Sequence, residues 1–255
     1  MQDWEQRYRE AAHQGRNLFS SKASSTVKNA LDSVEILHRH VPSAIDIGAG
    51  EGRHALELAQ RGFFVTALEL SETAVHQAKA RQAEAMSAYA RTVHCTPSTN
   101  MNPLATIDAP RRGDLPQTNS AAHWQRSINW QCSDVATYSP ENTFDLALFA
   151  YFHVPEQDWY RAVKHAATWV GNGGWMVCVG HARAQLGRDV CGPKDPDRLW
   201  DPVGLAEVFA SLGWIVVRAE NVERDEAETP DCAQRPVHGG DCERGIDTIV
   251  VARRP

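Results

Sequence analysis

The chain has 255 residues, of which 42% are hydrophobic and 23% charged, and its formal net charge is −6. This length fits one domain, and the apolar fraction suffices for a sizeable core. An acidic chain lacks the basic surface of general nucleic-acid binders, so we expect no such partner. No apolar run is long enough to span a bilayer and no signal peptide is visible. We therefore expect a cytoplasmic protein, monomeric or homodimeric, without a membrane partner.

The six cysteines form no C-x-x-C pair, and a disulfide framework is not expected in a cytoplasmic chain. Cys132 and Cys178 fall in or beside predicted strands, where buried free thiols are common. Cys232, His238 and Cys242 could meet in a late loop, but their spacing matches no standard zinc site. We therefore expect no bound metal.

Strands and helices alternate along most of the chain, which predicts a parallel sheet. A polar and aromatic segment, residues 4–19, comes first, and the spacing of apolar side chains predicts a helix at 25–40. The predicted strands are 44–47, 64–69, 128–132, 144–149, 175–180, 214–218 and 246–252. Further helices are predicted to begin after residues 52, 71, 155 and 201.

Two polar segments interrupt this alternation. Residues 96–127 contain four prolines and many Asn, Thr and Ser, which predicts a mobile insert. Residues 225–244 form a polar loop between the last two strands. We therefore divide the chain into an N-terminal segment and helix, 1–43, and a single domain, 44–255, that carries the insert.

The predicted fold class is α/β: a Rossmann-like, seven-stranded, mostly parallel sheet with helices on both faces. Because a loop rather than a helix joins the last two strands, we expect the last strand to run antiparallel. In such sheets ligands bind at the carboxyl ends of the strands, where the strand order reverses.

The segment from the first strand to the second contains the most informative motif. Asp46 ends the first strand and is followed by the alternating glycines Gly48, Gly50 and Gly52. Glycines let a ligand approach the backbone, and the helix that follows offers free N–H groups. Glu69, at the end of the second strand, stands where a carboxylate takes both hydroxyls of a ribose. A dinucleotide site has a third glycine where this chain has Arg53, which argues against NAD.

This D-x-G-x-G-x-G spacing resembles motif I of the class I S-adenosylmethionine-dependent methyltransferases. The methionine end of that cofactor carries an ammonium and a sulfonium and no phosphate, so a carboxylate at the turn suits it. The resemblance implies that Asp46 holds the ammonium and that Glu69 binds the ribose hydroxyls. It also implies that the turn from Gly48 through Ala49 to Gly50 contacts the methionine and ribose. Leu70 would then lie beside the adenine.

Two later segments extend the implied cofactor site. Ser133-Asp134-Val135 follows the third strand. It resembles the family position where an Asp side chain takes the adenine amino group and the next backbone N–H meets a ring nitrogen. A turn or a helix cap is the alternative interpretation of this segment. Phe149 and Ala150 end the fourth strand, and in the family the loop that follows borders both the methionine moiety and the acceptor.

The candidate catalytic residues follow the fourth and fifth strands. Tyr151 and His153 lie in the loop after the fourth strand, and His181 comes directly after the fifth. His153 is the first general-base candidate and His181 the second, since histidine titrates near neutrality. Tyr151 is a candidate for steering the acceptor or lining the sulfonium. A structural role is the alternative for either histidine.

The opening Trp4-Glu5-Gln6-Arg7-Tyr8 resembles the W-x-x-R-Y/W start of small-molecule methyltransferases of the thiopurine and tellurite-resistance type, in which this segment folds over the cofactor. The loop after the fourth strand lacks the Asn/Asp-Pro-Pro-Phe/Tyr motif of many nucleic-acid methyltransferases. We therefore expect methyl transfer from S-adenosylmethionine to a small-molecule N, O, S or metalloid acceptor, with S-adenosylhomocysteine as product. The alternatives are a non-catalytic S-adenosylmethionine-binding protein and an NAD-dependent oxidoreductase.

Overall fold

The computed structural model of the chain describes residues 4–36, 41–94, 128–190, 192–225 and 243–255. For residues 88–94 it describes only the helical backbone. The predicted insert at 96–127 lies outside these ranges, as do most of the predicted loop at 225–244 and the Cys232, His238 and Cys242 trio.

Six α-helices and a seven-stranded sheet make up the described part of the chain. The helices are α1 (Trp4–His13), α2 (Ser25–Leu31), α3 (Arg53–Gln60), α4 (Glu72–His94), α5 (Glu156–Ala167) and α6 (Pro202–Ser211). The strands are β1 (Ser43–Ile47), β2 (Phe64–Glu69), β3 (Ile128–Cys132), β4 (Phe144–Ala150), β5 (Val170–His181), β6 (Ile215–Glu223) and β7 (Ile246–Arg253). None of these described helices has the length and apolar character needed to cross a membrane.

The sheet has the strand order β3-β2-β1-β4-β5-β7-β6. β1 pairs in parallel with β2 and β4, and parallel pairing continues to β3 on one side and β5 on the other. β7 runs antiparallel to both β5 and β6. The predicted α/β fold with an antiparallel last strand is therefore confirmed. The strand order reverses between β1 and β4, which is where such sheets bind their ligands.

Each face of the sheet has its own hydrophobic core. On one face α5 and α6 contribute the fully buried side chains of Trp159 and Phe209. On the other face α2 and α3 contribute Val27 and Leu58. The sequence of β4, FDLALFA, is almost continuously apolar because both of its faces are covered. The prediction of helices on both faces is confirmed.

The three alternating glycines after β1 adopt left-handed backbone conformations. Their φ angles are 70° at Gly48, 54° at Gly50 and 83° at Gly52. Gly52 comes directly before α3, and a Cβ there would lie only 2.3 Å from the Trp130 ring on β3. The turn can therefore close against the sheet only because these residues have no side chain.

Some element boundaries differ from the predicted ones. The predicted helix at 25–40 ends at Leu31, before its apolar repeat does. The carbonyl of Glu35 then accepts a hydrogen bond of 3.0 Å from the Trp175 indole on β5, and Ile36 packs against the core. A long-range contact thus takes the chain out of the helix. β5 begins earlier than predicted, at Val170, where it pairs with Phe144 of β4. β5 and β6 also end later than predicted, because their pairing with β7 continues to His181 and Glu223.

We expect Gly52→Ala to destabilise the protein more than its matched control, Gly62→Ala. Both glycines have positive φ angles, 83° and 94°, so each alanine brings backbone strain of about 1–2 kcal/mol. A Cβ at Gly62 meets no atom within 4 Å, whereas a Cβ at Gly52 meets Trp130. The overpacking should lower the free energy of unfolding of Gly52→Ala by about 1–3 kcal/mol more, measured by urea denaturation. Equal losses would contradict the close Gly52–Trp130 contact.

Candidate active site

The predicted motif residues meet at the carboxyl edge of the sheet, where the strand order reverses. Ile47 and Phe149, at the ends of β1 and β4, are direct neighbours in the parallel pair. The chain leaves β1 through the glycine turn and leaves β4 through Ala150 and Tyr151. Because the two strand ends lie side by side, the glycine turn and the Tyr151 loop border the same cleft.

Asp46 is the buried acid of this edge. It is only 1% exposed, and its Oδ2 atom has no hydrogen-bond partner among the described residues. Burial, followed by the negative charge of Glu69, raises the pKa of Asp46 to about 7, and the charge of Arg53 and an N–H of Ala55 oppose the rise. A buried polar oxygen without a donor is costly, so Asp46 suits a ligand that brings a positively charged donor.

Glu69 ties the glycine turn to the end of β2. Its Oε2 atom accepts a hydrogen bond of 2.8 Å from the N–H of Gly50, and its Oε1 atom accepts one of 2.9 Å from the N–H of Ser71. Burial raises the pKa of Glu69, and these backbone hydrogen bonds oppose the rise. Each carboxylate oxygen has two lone pairs, so Glu69 keeps acceptor capacity for the hydroxyl groups of a ligand.

Helix α1 lies directly over the glycine turn. The Tyr8 hydroxyl is 2.7 Å from the position that a Cβ of Gly50 would take. On the other side of the turn, the Phe152 ring is 2.6 Å from the corresponding position at Gly48. The Trp4 ring, also on α1, lies 6.3 Å from the His153 ring at an interplanar angle of 21°. α1 therefore covers both the turn and the loop after β4.

Two acidic side chains hold the N-terminal segment against this edge. Glu5 on α1 accepts hydrogen bonds of 2.6 Å from the hydroxyls of Ser71 and Thr73, which begin α4. Glu51 in the glycine turn accepts hydrogen bonds from two backbone N–H groups in the segment after α1. Burial would raise the pKa of Glu5, but its hydrogen bonds outweigh that effect and lower the pKa to about 2. Glu5 therefore stays ionised in mildly acidic solution.

The residues predicted to border adenine lie at the ends of β2 and β3. Leu70 is 60% exposed, which leaves an apolar side chain open at this edge. The Oδ1 atom of Asp134 accepts a hydrogen bond of 2.9 Å from the N–H of Ala136. The segment therefore forms a turn, which was the alternative to an adenine contact. Val135 packs against the core beside it. The turn uses one oxygen of Asp134, and the contact with adenine stays a prediction.

A second polar cluster lies at the same edge, beyond β4, and is centred on Asp247 of β7. The fully buried Asp247 carboxylate accepts hydrogen bonds of 2.6 Å from the Tyr151 hydroxyl and 3.1 Å from the Thr26 hydroxyl. Arg224 donates to it through Nη2 at 2.6 Å and through Nε at 3.2 Å. Burial would raise the pKa of Asp247, but the neighbouring His181 and Arg224 outweigh this effect and lower it. An ionised, fully bonded carboxylate therefore fixes the groups around it.

Tyr151 is one of the groups that Asp247 fixes. Its φ angle of 56° is positive, which is rare for a bulky residue and strains the backbone. The guanidinium of Arg53 lies 5.3 Å from the ring centre, within range of a cation–π contact. Burial, followed by the charge of Asp247, raises the pKa of Tyr151, so the hydroxyl stays protonated.

The two candidate histidines stack on each other. The ring centres of His153 and His181 are 5.0 Å apart, and the rings are within 4° of parallel. The Nδ1 atom of His181 faces Arg224 and Asp247, whereas the Nε2 atom of His153 is buried with no partner among the described residues. Burial lowers the pKa of both histidines, and in His153 the neighbouring His181 lowers it further. Both imidazoles are therefore neutral at pH 7.

Sequence reasoning missed Arg224 and Asp247 as parts of this edge. They lie on either side of the polar loop, and the antiparallel pairing of β6 with β7 brings them together. The signal in the sequence is an acid at the second position of a mostly apolar strand. The sequence singles out Arg53 only as the residue that replaces a glycine of the dinucleotide motif. In the structure its positive charge lowers the pKa of Asp46, His153 and His181. In the described ranges no group of three or more acidic, histidine or cysteine side chains could hold a metal ion.

Sequence comparison assigns the family. A profile described as a methyltransferase domain matches residues 4–223, which is most of the chain. The chain belongs to the methyltransferase-domain family. The predictions that it is an enzyme and that it resembles this class are thereby confirmed, and S-adenosylmethionine, the predicted cofactor, is the one that this family uses. A sequence search of curated proteins found none that matches the methyltransferase.

Solved structures share the fold of the methyltransferase at low sequence identity. TehB from Haemophilus influenzae has a TM-score of 0.55 at 13% sequence identity. The match covers 89% of this chain and 62% of TehB, so the chain spans about three-fifths of the length of TehB. The glycopeptide N-methyltransferase MtfA, crystallised with S-adenosylmethionine, has a TM-score of 0.56 at 14% identity, covering 94% and 96% of the two chains. The cyclase SpnF has a TM-score of 0.56 at 16% identity, covering 96% and 92%. These similarities show the fold alone. SpnF, for example, is named as a [4+2]-cyclase and not as a methyltransferase.

We expect Asp46→Asn to be more stable than the natural protein above neutral pH. The pKa of Asp46 is raised from 3.8 to about 7 in the folded chain, so ionising it costs stability as pH rises through this window. A tenfold change in an acid dissociation constant corresponds to about 1.4 kcal/mol, so the asparagine variant should gain about 2–4 kcal/mol relative to the natural protein between pH 4 and 8.

Urea denaturation at pH 4 and pH 8 measures this difference. The exposed Asp32, which forms a surface ion pair with Arg61, provides the matched control Asp32→Asn. The control should show a much smaller change between the two pH values. A stability difference for Asp46→Asn that does not grow with pH would contradict the buried, unpartnered state of Asp46.

Proposed function

We propose that this methyltransferase transfers the methyl group of S-adenosylmethionine to a small-molecule N, O, S or metalloid acceptor and releases S-adenosylhomocysteine. The observation that carries the proposal is the buried Asp46 carboxyl, whose Oδ2 atom has no partner among the described residues, beside a left-handed glycine turn at the reversal of strand order. An ammonium group would satisfy that oxygen, and the methionine end of the cofactor supplies one.

The cofactor would extend from β1 toward β3 along the carboxyl edge. Asp46 would hold the methionine ammonium, and the backbone from Gly48 to Gly50 would contact the methionine and ribose. Glu69 would accept hydrogen bonds from the ribose hydroxyls, which its second lone pairs allow. Leu70 and the Asp134-Val135 turn would border the adenine. Helix α1, held by Glu5, would cover the bound cofactor.

The acceptor would bind on the other side of the glycine turn, beside Tyr151, His153 and His181. Phe149 pairs with Ile47 directly before the glycine turn, so Phe149 and Ala150 would bring this loop to the methionine end of the site. The reaction is an in-line displacement with a neutral leaving group, so alignment and exclusion of water contribute most of the catalysis. A proton acceptor is needed only when the nucleophile arrives protonated, and His153 and His181 are the candidates for it.

Partners and location belong to the same proposal. The acidic chain argues for a small-molecule acceptor and against a general nucleic-acid surface. Cys132 and Cys178 are free thiols, which supports a reducing, cytoplasmic compartment. We propose a monomer or a homodimer. A binding protein without turnover would share the cofactor site, and product formation separates it from an enzyme.

Calorimetric titration with S-adenosylmethionine, S-adenosylhomocysteine and NADH tests the proposal first. We expect the first two ligands to bind and NADH not to bind. Mass spectrometry of S-adenosylhomocysteine in the presence of an acceptor panel then tests turnover. Binding of NADH alone would overturn the proposal in favour of an oxidoreductase, and binding of S-adenosylmethionine without product from any acceptor would favour the non-catalytic alternative.

Two variants and two ligands separate the ends of the cofactor site. 5′-Methylthioadenosine keeps the ribose of S-adenosylhomocysteine and lacks its amino-acid end. Glu69→Gln should weaken the binding of both ligands roughly 10- to 100-fold, because a charged hydrogen-bond acceptor is lost. Asp46→Asn should weaken the binding of S-adenosylhomocysteine only. The variant Glu57→Gln, a change on α3 that loses an ion pair with Arg61, is the control and should bind both ligands normally. A uniform effect of Asp46→Asn on both ligands would contradict its assignment to the ammonium.

The pH dependence of binding follows from the same carboxyl group. Asp46 must be ionised to bind an ammonium, and its pKa in the protein is about 7. Below pH 7 the affinity for S-adenosylhomocysteine should therefore fall by up to about tenfold per pH unit. The affinity for 5′-methylthioadenosine, and that of Asp46→Asn for either ligand, should lack this dependence. A flat profile for S-adenosylhomocysteine in the natural protein would contradict the prediction.

A further inference from the structure

His181 is held from one side by a group that can only donate. Its Nδ1 atom lies 2.5 Å from Nη2 of Arg224 and 3.3 Å from Oδ1 of Asp247. A guanidinium has no acceptor, so Nδ1 of His181 must accept from it and the ring proton must lie on Nε2. In the other tautomer, the Nδ1–H of His181 would point at an N–H of Arg224. It could then donate only to Oδ1 of Asp247, which is farther away than Arg224.

The position of Arg224 is itself fixed. Its Nε and Nη2 atoms both donate to the buried Asp247 carboxylate, which sets the plane of the guanidinium. Gly245 leaves the space for it, because a Cβ there would lie 3.0 Å from Cζ of Arg224. Asp247 also receives the hydroxyls of Tyr151 and Thr26, so it cannot turn away to follow His181. Arg224 therefore determines which nitrogen of His181 carries the proton.

His153 is in the opposite situation. Its Nε2 atom is buried and has no hydrogen-bond partner among the described residues. The ring lies between Trp4 and His181, so stacking fixes its plane without using its nitrogens. The charges that face it are those of Arg7 on α1, Arg53 on α3 and Arg198 before α6. These cations and the burial keep the imidazole neutral, so Nε2 is suited to receive a proton donor from a ligand.

We propose that Arg224 and Asp247 are positioning residues that hold His181 as its Nε2–H tautomer, which leaves His153 as the imidazole that takes the acceptor's proton. This proposal rests on the methyl transfer proposed above. It narrows the acceptor to protic O–H or N–H nucleophiles such as phenols, alcohols and aromatic amines. A buried imidazole nitrogen gains a strong hydrogen bond from O–H or N–H, whereas S–H is a weak donor and a thiolate brings no proton.

The proton and charge balance fits this assignment. The acceptor's lone pair forms the new bond to the methyl carbon, and the carbon–sulfur bond breaks with its electron pair on sulfur. His153 takes the proton from the attacking oxygen or nitrogen, whose bonding electrons stay on that atom. The positive charge thus moves from the sulfonium to the imidazole, and the total charge of the site is unchanged. A weak base suffices, because a methylated oxonium or anilinium loses its proton readily.

Nitrogen NMR of the full chain, labelled in its histidine rings, tests the proposal directly. Two-bond nitrogen–proton correlations at neutral pH distinguish the tautomers, and His181→Gln and His153→Gln identify the two sets of signals. We expect His181 to carry its proton on Nε2. We expect His153 to be neutral with its proton on Nδ1, because its Nε2 atom can accept a proton only when it carries none. In Arg224→Met no guanidinium donates to His181, so the His181 proton should move to Nδ1 and bond to Asp247, whose Oδ1 atom lies 3.3 Å away. Arg218→Met, a change at a partly exposed arginine on β6, the strand that ends directly before Arg224, should leave the tautomer unchanged.

A His181 that carries its proton on Nδ1, or that is positively charged, in the natural protein would overturn the proposal. This measurement needs no variant of Arg224, so it stands even where removal of a buried charge prevents folding. Calorimetric binding of S-adenosylhomocysteine to the same sample reports separately on the proposed function. If that ligand fails to bind while His181 shows the expected tautomer, the proposed function fails and the assignment of Arg224 stands.

The acceptor class is tested with three probes, phenol, aniline and thiophenol, in the presence of S-adenosylmethionine. Product formation with phenol or aniline that falls about 100-fold or more in His153→Gln, with S-adenosylhomocysteine binding within twofold of normal, would support the proposal. Methylation of thiophenol alone, or methylation of phenol that survives in His153→Gln, would overturn it.

Discussion

The parallel pairing of β1 with both β2 and β4 is the constraint on which the rest of the structure depends. It directs the ends of these strands to one edge, and the reversal of strand order opens a cleft between β1 and β4 there. The glycine turn occupies that cleft in left-handed conformations, and a side chain on Gly52 would meet Trp130. In this conformation the N–H of Gly50 donates a hydrogen bond to Glu69. Asp46 stays buried beneath it with an oxygen that has no described partner.

The two halves of the edge differ in how their carboxyl groups are compensated. On the β1–β2 side, the carboxyl groups of Asp46 and Glu69 lie close enough to raise the pKa of Asp46, and no guanidinium is hydrogen-bonded to either in the described residues. On the β4–β7 side, Asp247 is saturated by Arg224 and two hydroxyls. The first arrangement costs stability and is suited to binding a cation. In the second arrangement the charge of Asp247 is neutralised by Arg224, and its hydrogen bonds orient the neighbouring side chains.

Much of the fold and of the β1–β2 side could be predicted from the sequence, because both depend on contacts between nearby residues. Apolar strands, capped helices and the Asp46-to-Gly52 spacing are local, and Glu69 follows within one strand–helix–strand unit. The premature end of α2 could not be predicted, since it depends on Trp175, far away in the chain. The Arg224–Asp247 pair was missed for the same reason: only the pairing of β6 with β7 brings these residues together.

Position 151 is where two requirements on a single residue conflict. The left-handed backbone at the end of β4 favours glycine or asparagine, whereas the hydrogen bond to Asp247 and the contact with Arg53 require an aromatic ring with a hydroxyl. Tyr151 meets the second requirement at the expense of the first. A search for stabilising substitutions would therefore select the small residues that relax the backbone, and it would discard the ring that we propose borders the acceptor. Stability and activity should diverge at this residue more clearly than at its buried neighbours on β4.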